Sequence, residues 1–267
     1  MPVIKARRIL SLLIVLAACP CFAQARDAAP SGCGGQTLGV FTAGAAIDGR
    51  TFRLEDGREV RLAGIEVPAG LAARDNLDKL IAGRRVLLKH DDPGNDRYGR
   101  VVAHVFVPAD GSESWIEREM AAAGLARAGA RIGEPACAAA LLAAEQQARK
   151  ARLGLWGDPA YAIKLADDAA AMLAERGQFI LAEGHVLSVR ESAGTIYINF
   201  GQVWSRSLTV TILKRNERLF VAAGIDPKRL QGRRLRVRGW IEDRGGPRIE
   251  AARPEQIEIA DQAGQVQ

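Results

Sequence analysis

The stretch Asp48–Pro68, "DGRTFRLEDGREVRLAGIEVP", alternates apolar and polar residues on both sides of a Glu-Asp-Gly turn. Phe52 and Leu54, then Val60 and Leu62, fall on one face of two short strands, and Gly64 is a further candidate for that face. A hairpin with one apolar face needs a core to cover it, so these residues predict a small antiparallel sheet.

Reading outward, Thr37–Ala46 is apolar and small and supplies a preceding strand. Leu71–Ala82 has helical spacing, "RRVLLKH" (Arg84–His90) and "RVVAHVFV" (Arg100–Val107) read as two more strands, and the link Asp91–Gly99 is rich in turn residues. Helices are expected over Ser114–Ala123 and Pro135–Arg152. Five strands with a helix after the third and helices at the end predict a helix-capped OB-type barrel. The second half is almost all β: Phe179–Val189, Thr195–Asn199, Leu208–Ile212, Arg234–Ile241 and Ile249–Ala252, with a short helix near Asn216–Ala223. That pattern fits a second small β-barrel, of OB type or another, and no sequence repeat links the halves. The fold class expected is therefore mainly β with helices (α+β), with a first domain over 33–158, a linker over 159–178 and a C-terminal barrel over 179–260.

Residues 1–23 read as a signal peptide: Lys5, Arg7 and Arg8 precede the apolar run Ile9–Ala18, and "CFA" ends at Ala23 with small residues fit for cleavage. The run is too short to span a bilayer, and no membrane helix is expected in the mature chain. "LAAC" (Leu16–Cys19) also resembles a lipoprotein box with Cys19 as the anchored residue, but Pro20 favours plain cleavage. A periplasmic or secreted protein is expected. Of the four cysteines, Cys19 and Cys21 lie in the leader, and Cys33 and Cys137 read as one disulfide rather than a reactive site. The chain carries +6, and loses three positive charges with the leader, too little to argue for nucleic acid by itself.

"DGRT" (Asp48–Thr51), "RLAGIEVP" (Arg61–Pro68), "DRYGR" (Asp96–Arg100) and "ARLGLWGD" (Ala151–Asp158) occur in the order and spacing of the thermonuclease, or staphylococcal nuclease-like, family. The resemblance covers about Val40–Asp158. It implies an OB barrel with three helices and calcium-dependent hydrolysis of DNA or RNA. In such a site carboxylates hold the hard cation, a glutamate after the turn proline acts on the attacking water, and two arginines neutralise charge growing on the phosphate.

Carried over position by position, the resemblance places Arg61 and Arg100 as the phosphate-clamping pair and Glu66 at the turn aspartate. Arg50 stands at a metal carboxylate and Ala69 at the general base. A guanidinium about 4 Å from a divalent ion is repelled by about 8 kcal/mol at an effective dielectric of about 20, and loss of a positioned base removes a factor of about 100 to 10,000 in rate. No cofactor is therefore expected, with calcium reserved for a rearranged site using Asp48 and Glu66 as weak ligands. Glu66 reads equally well as an ion-pair partner, and Arg50 and Glu66 are expected to pair in place of the metal. Thr51 and Tyr98 read as a strand residue and a packing aromatic before substrate contacts, and His90, His104 and His185 lack metal-ligand spacing.

In the second half, "RRLRVRGW" puts Arg234, Arg236, Arg238 and Trp240 on one strand face. A basic row beside an aromatic is what a barrel uses to follow a single strand of nucleic acid; a solvated face with a half-buried Trp240 is the plainer reading. Residues 180–267 carry 14 basic and 10 acidic residues, against 20 and 21 in residues 24–179. Trp204 in "NFGQVWSR" is a candidate surface aromatic. Three functions are expected to compete: an exported thermonuclease-like protein that binds nucleic acid or a phosphorylated polyanion and hydrolyses it weakly or not at all, an active metal-dependent phosphodiesterase with a rearranged site, and a cell-envelope interaction module without nucleotide chemistry. Oligomeric state is not legible.

Overall fold

The computed structural model describes residues 33–90, 94–109 and 112–260. The leader, with Cys19, lies outside them. Among the described residues no helix is long and apolar enough to cross a membrane.

The first barrel is built from β1 (Gln36–Asp48), β2 (Thr51–Leu54), β3 (Glu59–Leu62), β4 (Arg85–His90) and β5 (Val101–Ala109), with helix α1 (Leu71–Ile81) between β3 and β4. β1 pairs antiparallel with both β2 and β4, β2 with β3, and β4 with β5, while β3 and β5 run parallel and close the barrel. This is the OB-type strand order. Phe52, Leu54, Val60 and Leu62 are buried, as their alternation requires. Helices α2 (Ile116–Ala122) and α3 (Pro135–Lys150) cap it. The helix expected from Ser114 starts later because Ser112–Trp115 forms a hairpin with β5, Trp115 opposite Phe106. Cys33 and Cys137 form a disulfide that ties the start of the described chain to α3.

The second half repeats the topology. One bent strand, β6 (Phe179–His185) and β7 (Ser188–Ser192), is followed by β8 (Thr195–Asn199), β9 (Thr209–Leu213), helix α4 (Glu217–Ala222), β10 (Arg234–Trp240) and β11 (Pro247–Glu250). β7 pairs with β8 and β8 with β9, all antiparallel; β9 runs parallel to β11, and β6 pairs antiparallel with β10. The extension of β10 at Glu242–Asp243 pairs with β11. The single strand expected over Phe179–Val189 breaks at Val186–Leu187, where the sheet must bend to close. Each barrel has its own apolar core. Residues 159–178 are more than the expected linker: Lys164–Leu165 pairs with β6, and Ala166 and Met172 are buried in the second core.

The barrels meet through a buried ionic network. Arg238 on β10 donates from Nη1 and Nη2 to the two carboxylate oxygens of Glu145 on α3 and from Nη1 to the Ala128 carbonyl, and it also pairs with Glu258. Arg236 pairs with Glu183 and Glu258, and Arg149 with Glu145 and Glu258. The expected basic row is corrected accordingly. Arg238 is fully buried, Arg236 is held by two carboxylates, and the half-exposed Arg234 is paired to Glu183, so the middle of this strand face is an internal seam rather than a track for phosphates. Only Trp240 of the four presents much apolar surface, 46% exposed.

Candidate functional site

The hairpin between β1 and β2 turns through Gly49 and Arg50, with Asp48 opposite Thr51. Asp48 Oδ1 accepts the Arg50 amide proton at 2.8 Å, an Asx turn that fixes the tip. A Cβ on Gly49 would lie 2.7 Å from side-chain atoms of both Val67 and Ala73, so glycine lets the tip press against the segment after Glu66. The Arg50 guanidinium is thereby delivered to Glu66, with which it forms a short ion pair through Nη1 and Oε2.

Glu66 is held by a two-residue bridge in which Ile65 and Glu66 pair with Ala128 and Arg127. Its other oxygen lies 3.5 Å from Arg61 Nη2. Arg61, on β3 opposite Thr51, is within electrostatic reach of Arg50, Glu66, Arg100 and Asp96; burial, followed by the Arg50 charge, lowers its proton affinity, yet a guanidinium remains charged at neutral pH.

Arg100 is gathered to the same place by a carboxylate that sequence reasoning left without a role. Asp96 Oδ2 accepts from Arg100 Nε at 2.8 Å, and Asp96 Oδ1 accepts the amides of Tyr98 and Arg100 at 2.9 and 3.1 Å. Burial works against the charged Asp96, but the Arg100 side chain and these amides outweigh it and hold its carboxyl below the usual range. The acid four residues before the arginine across a Gly turn was the signal available in "DRYGR". Tyr98 is exposed rather than packed in a core, with Arg97 and Arg100 at 4.7 and 5.1 Å from its ring centre. Ala69 is exposed and offers only a methyl group.

Three guanidiniums, Arg50, Arg61 and Arg100, face the two carboxylates of Glu66 and Asp96, a surplus of one positive charge that the Asp48 carboxylate at the adjacent turn offsets from beside the cluster. Calcium, which the resemblance implies, does not fit this donor set. Glu66 is bonded to the Arg50 guanidinium, and among the described residues no three His, Cys, Asp or Glu side chains gather as a metal site. His104 is buried, with Nε2 3.1 Å from the Ile132 carbonyl, and belongs to the core.

Arg50 and Glu66 also line one wall of a cleft of about 390 Å³ between the barrels. Trp240 and Phe179, edge to face at 5.9 Å, form part of the other wall, with Lys164 and Arg127 between. Arg127 is buried and donates to the Phe179 and Tyr161 carbonyls at 2.8 and 3.1 Å, so it fastens the second barrel beside the site. Trp240, which the sequence places on a surface row, is half exposed and lines the same cleft as Arg50.

Residues 58–158 match the family model of staphylococcal nuclease homologues. This segment is similar to staphylococcal nuclease homologues, and the match begins after Arg50. A comparison with curated proteins finds no match to the chain.

Proposed function

We propose that the protein binds nucleic acid, or a phosphorylated polyanion of the same charge pattern, at Arg50, Arg61 and Arg100, without calcium-dependent hydrolysis. The observation that carries this reading is the Arg50–Glu66 ion pair, which commits the Glu66 carboxylate to a guanidinium rather than to a metal ion. Each guanidinium has five N–H donors and uses only some of them within the cluster, so phosphate oxygens still find partners. What is missing is an acceptor for the proton of attacking water, since Ala69 has none. The binding is of periplasmic or secreted character: the buried Cys33–Cys137 disulfide suits an oxidising compartment.

The test is a parallel assay of the purified mature chain on DNA and RNA, with calcium, magnesium, manganese or chelator. Binding that persists in chelator, with a log–log salt slope of about −2 for three phosphate contacts on a single strand, and hydrolysis at background are expected. Cleavage in calcium at the rate of an efficient nuclease overturns this reading in favour of a rearranged hydrolytic site. Absence of polyanion binding at low salt leaves an interaction module.

A further inference from the structure

We propose a second binding site, for single-stranded nucleic acid, on the outward face of β7, β8 and β9 in the second barrel. It is separate from the cluster around Arg61 and does not depend on the function assigned there. Ile196 and Ile198 of β8 point into the core, which turns Tyr197 outward, and the register sets Arg190 of β7 directly opposite Tyr197. On the neighbouring row, Thr209 lies opposite Arg248 of β11. The face from β7 to β11 therefore spans three strand spacings, roughly 14 Å; the Tyr197 row runs from Arg190 through Thr211 to Glu250 of β11, and Arg248 stands on the next row, beside Thr209 and Asn199.

The groove over this face, about 750 Å³, is lined by Arg190, Arg244 and Arg248 and by no carboxylate. Glu242 holds Arg244 and Arg248 at 3.3 and 2.9 Å from outside the lining, and the buried Nε of Arg248 has no hydrogen-bond partner among the described residues. Trp204 completes the groove. It is 63% exposed, yet its position is fixed: a Cβ on Gly245 would lie 2.8 Å from its ring, and one on Gly246 would lie 2.2 Å from its carbonyl oxygen. The paired glycines let the Trp204 loop seat on the turn after β10, so the indole is presented to solvent without being free to collapse. A fixed exposed indole, a second ring on the sheet and flanking arginines match a strand whose bases are unstacked and whose phosphates run beside them. A duplex, with its base faces already stacked on one another, has no face to offer Trp204.

The experiment measures anisotropy of a labelled oligothymidine on the full mature chain in chelator at low salt. Trp204→Ala is expected to weaken binding about ten-fold. Arg190→Glu is expected to weaken it about five-fold and to make the salt slope shallower by about one contact. Arg61→Ala should lower affinity independently of both. Circular dichroism melts establish that each variant is folded; should Trp204→Ala melt early, Arg190→Glu and the ring-preserving Trp204→Phe carry the comparison, the latter retaining most affinity. Wild-type affinity in Trp204→Ala and Arg190→Glu, loss confined to Arg61→Ala, no binding of the oligonucleotide at all, or salt-insensitive binding of a neutral oligosaccharide in its place would each overturn the assignment.

Discussion

Arg238 Nη1 and Nη2 lie 2.7 and 3.0 Å from the two carboxylate oxygens of Glu145, a fork that crosses from the second barrel to α3 of the first with neither side chain reaching solvent. Burial opposes the charge on Arg238, but Glu145 and Glu258 outweigh it and raise its proton affinity. Two charges removed from water hold together only while both are present. The cleft lined by Arg50 and Trp240 lies between the two barrels that this seam joins.

Arg238→Met should therefore cost about 3 kcal/mol, the lower end for breaking a buried pair, because Arg149 Nη1 remains 2.8 Å from Glu145. Adding Glu145→Gln should recover part of the loss, since the uncompensated carboxylate goes with it. Denaturant unfolding of the two single variants and the double variant measures both numbers. Additive losses would remove the pair as the anchor of the interface.

Acid should loosen the same seam. Burial raises the proton affinity of Glu258, but Arg238, Arg149 and Arg236 outweigh it and hold its carboxyl below the ordinary value. A folded-state value below the unfolded one contributes stability at pH above the ordinary carboxylate range, and that contribution is lost as pH falls through and below it. Urea midpoints at pH 7 and pH 3.5 should differ less in Glu258→Gln than in the wild type. An equal difference in both proteins would place the acid sensitivity elsewhere.

The Cys33–Cys137 bridge closes a sequence separation of 104 residues with Cα atoms 5.4 Å apart. In chain-entropy terms a loop of that length is worth about 4 to 5 kcal/mol. Reduction, or the double change Cys33→Ala and Cys137→Ala, should lower Tm by about 10 °C or more. An unchanged Tm on complete reduction would mean that the unfolded chain already holds these ends together.

The first barrel was legible because Phe52, Leu54, Val60 and Leu62 obey one period on both sides of a turn, and local alternation reports which face is buried. The same rule misled at Arg238. Alternation put Arg234, Arg236 and Arg238 on a common face, but what buries Arg238 there is Glu145, 93 residues earlier, and pairing over such a distance leaves no periodic mark. Within the site, the Arg50–Glu66 pair followed from the charges that the resemblance brings together, whereas the neutralising role of Asp96 was not legible, because its partners are set by a turn geometry that the motif alone does not show. The groove at Trp204 went unread for a similar reason: the glycines that seat it lie about 40 residues away in the chain.

The sharpest test of the site is to rebuild it. The hairpin tip is fixed by the Asp48 carboxylate and the Arg50 amide, a contact that does not involve the Arg50 side chain, so an aspartate there should take up the same backbone position. Removing the guanidinium frees the carboxylate at 66, Glu66→Asp shortens it by one methylene, and the exposed Ala69 leaves room for a glutamate. The triple variant Arg50→Asp, Glu66→Asp, Ala69→Glu should gain calcium-dependent cleavage of DNA at least about 100-fold above the wild type, the lower bound for a positioned base. Ala69→Glu alone should gain nothing, because Arg50 still occupies the ligand position. Calcium should raise the Tm of the triple variant and leave that of the wild type unchanged, a readout independent of turnover. A triple variant that is stabilised by calcium yet does not cleave would show that Arg61 and Arg100, tied to Glu66 and Asp96, do not stand where a transferring phosphate needs them.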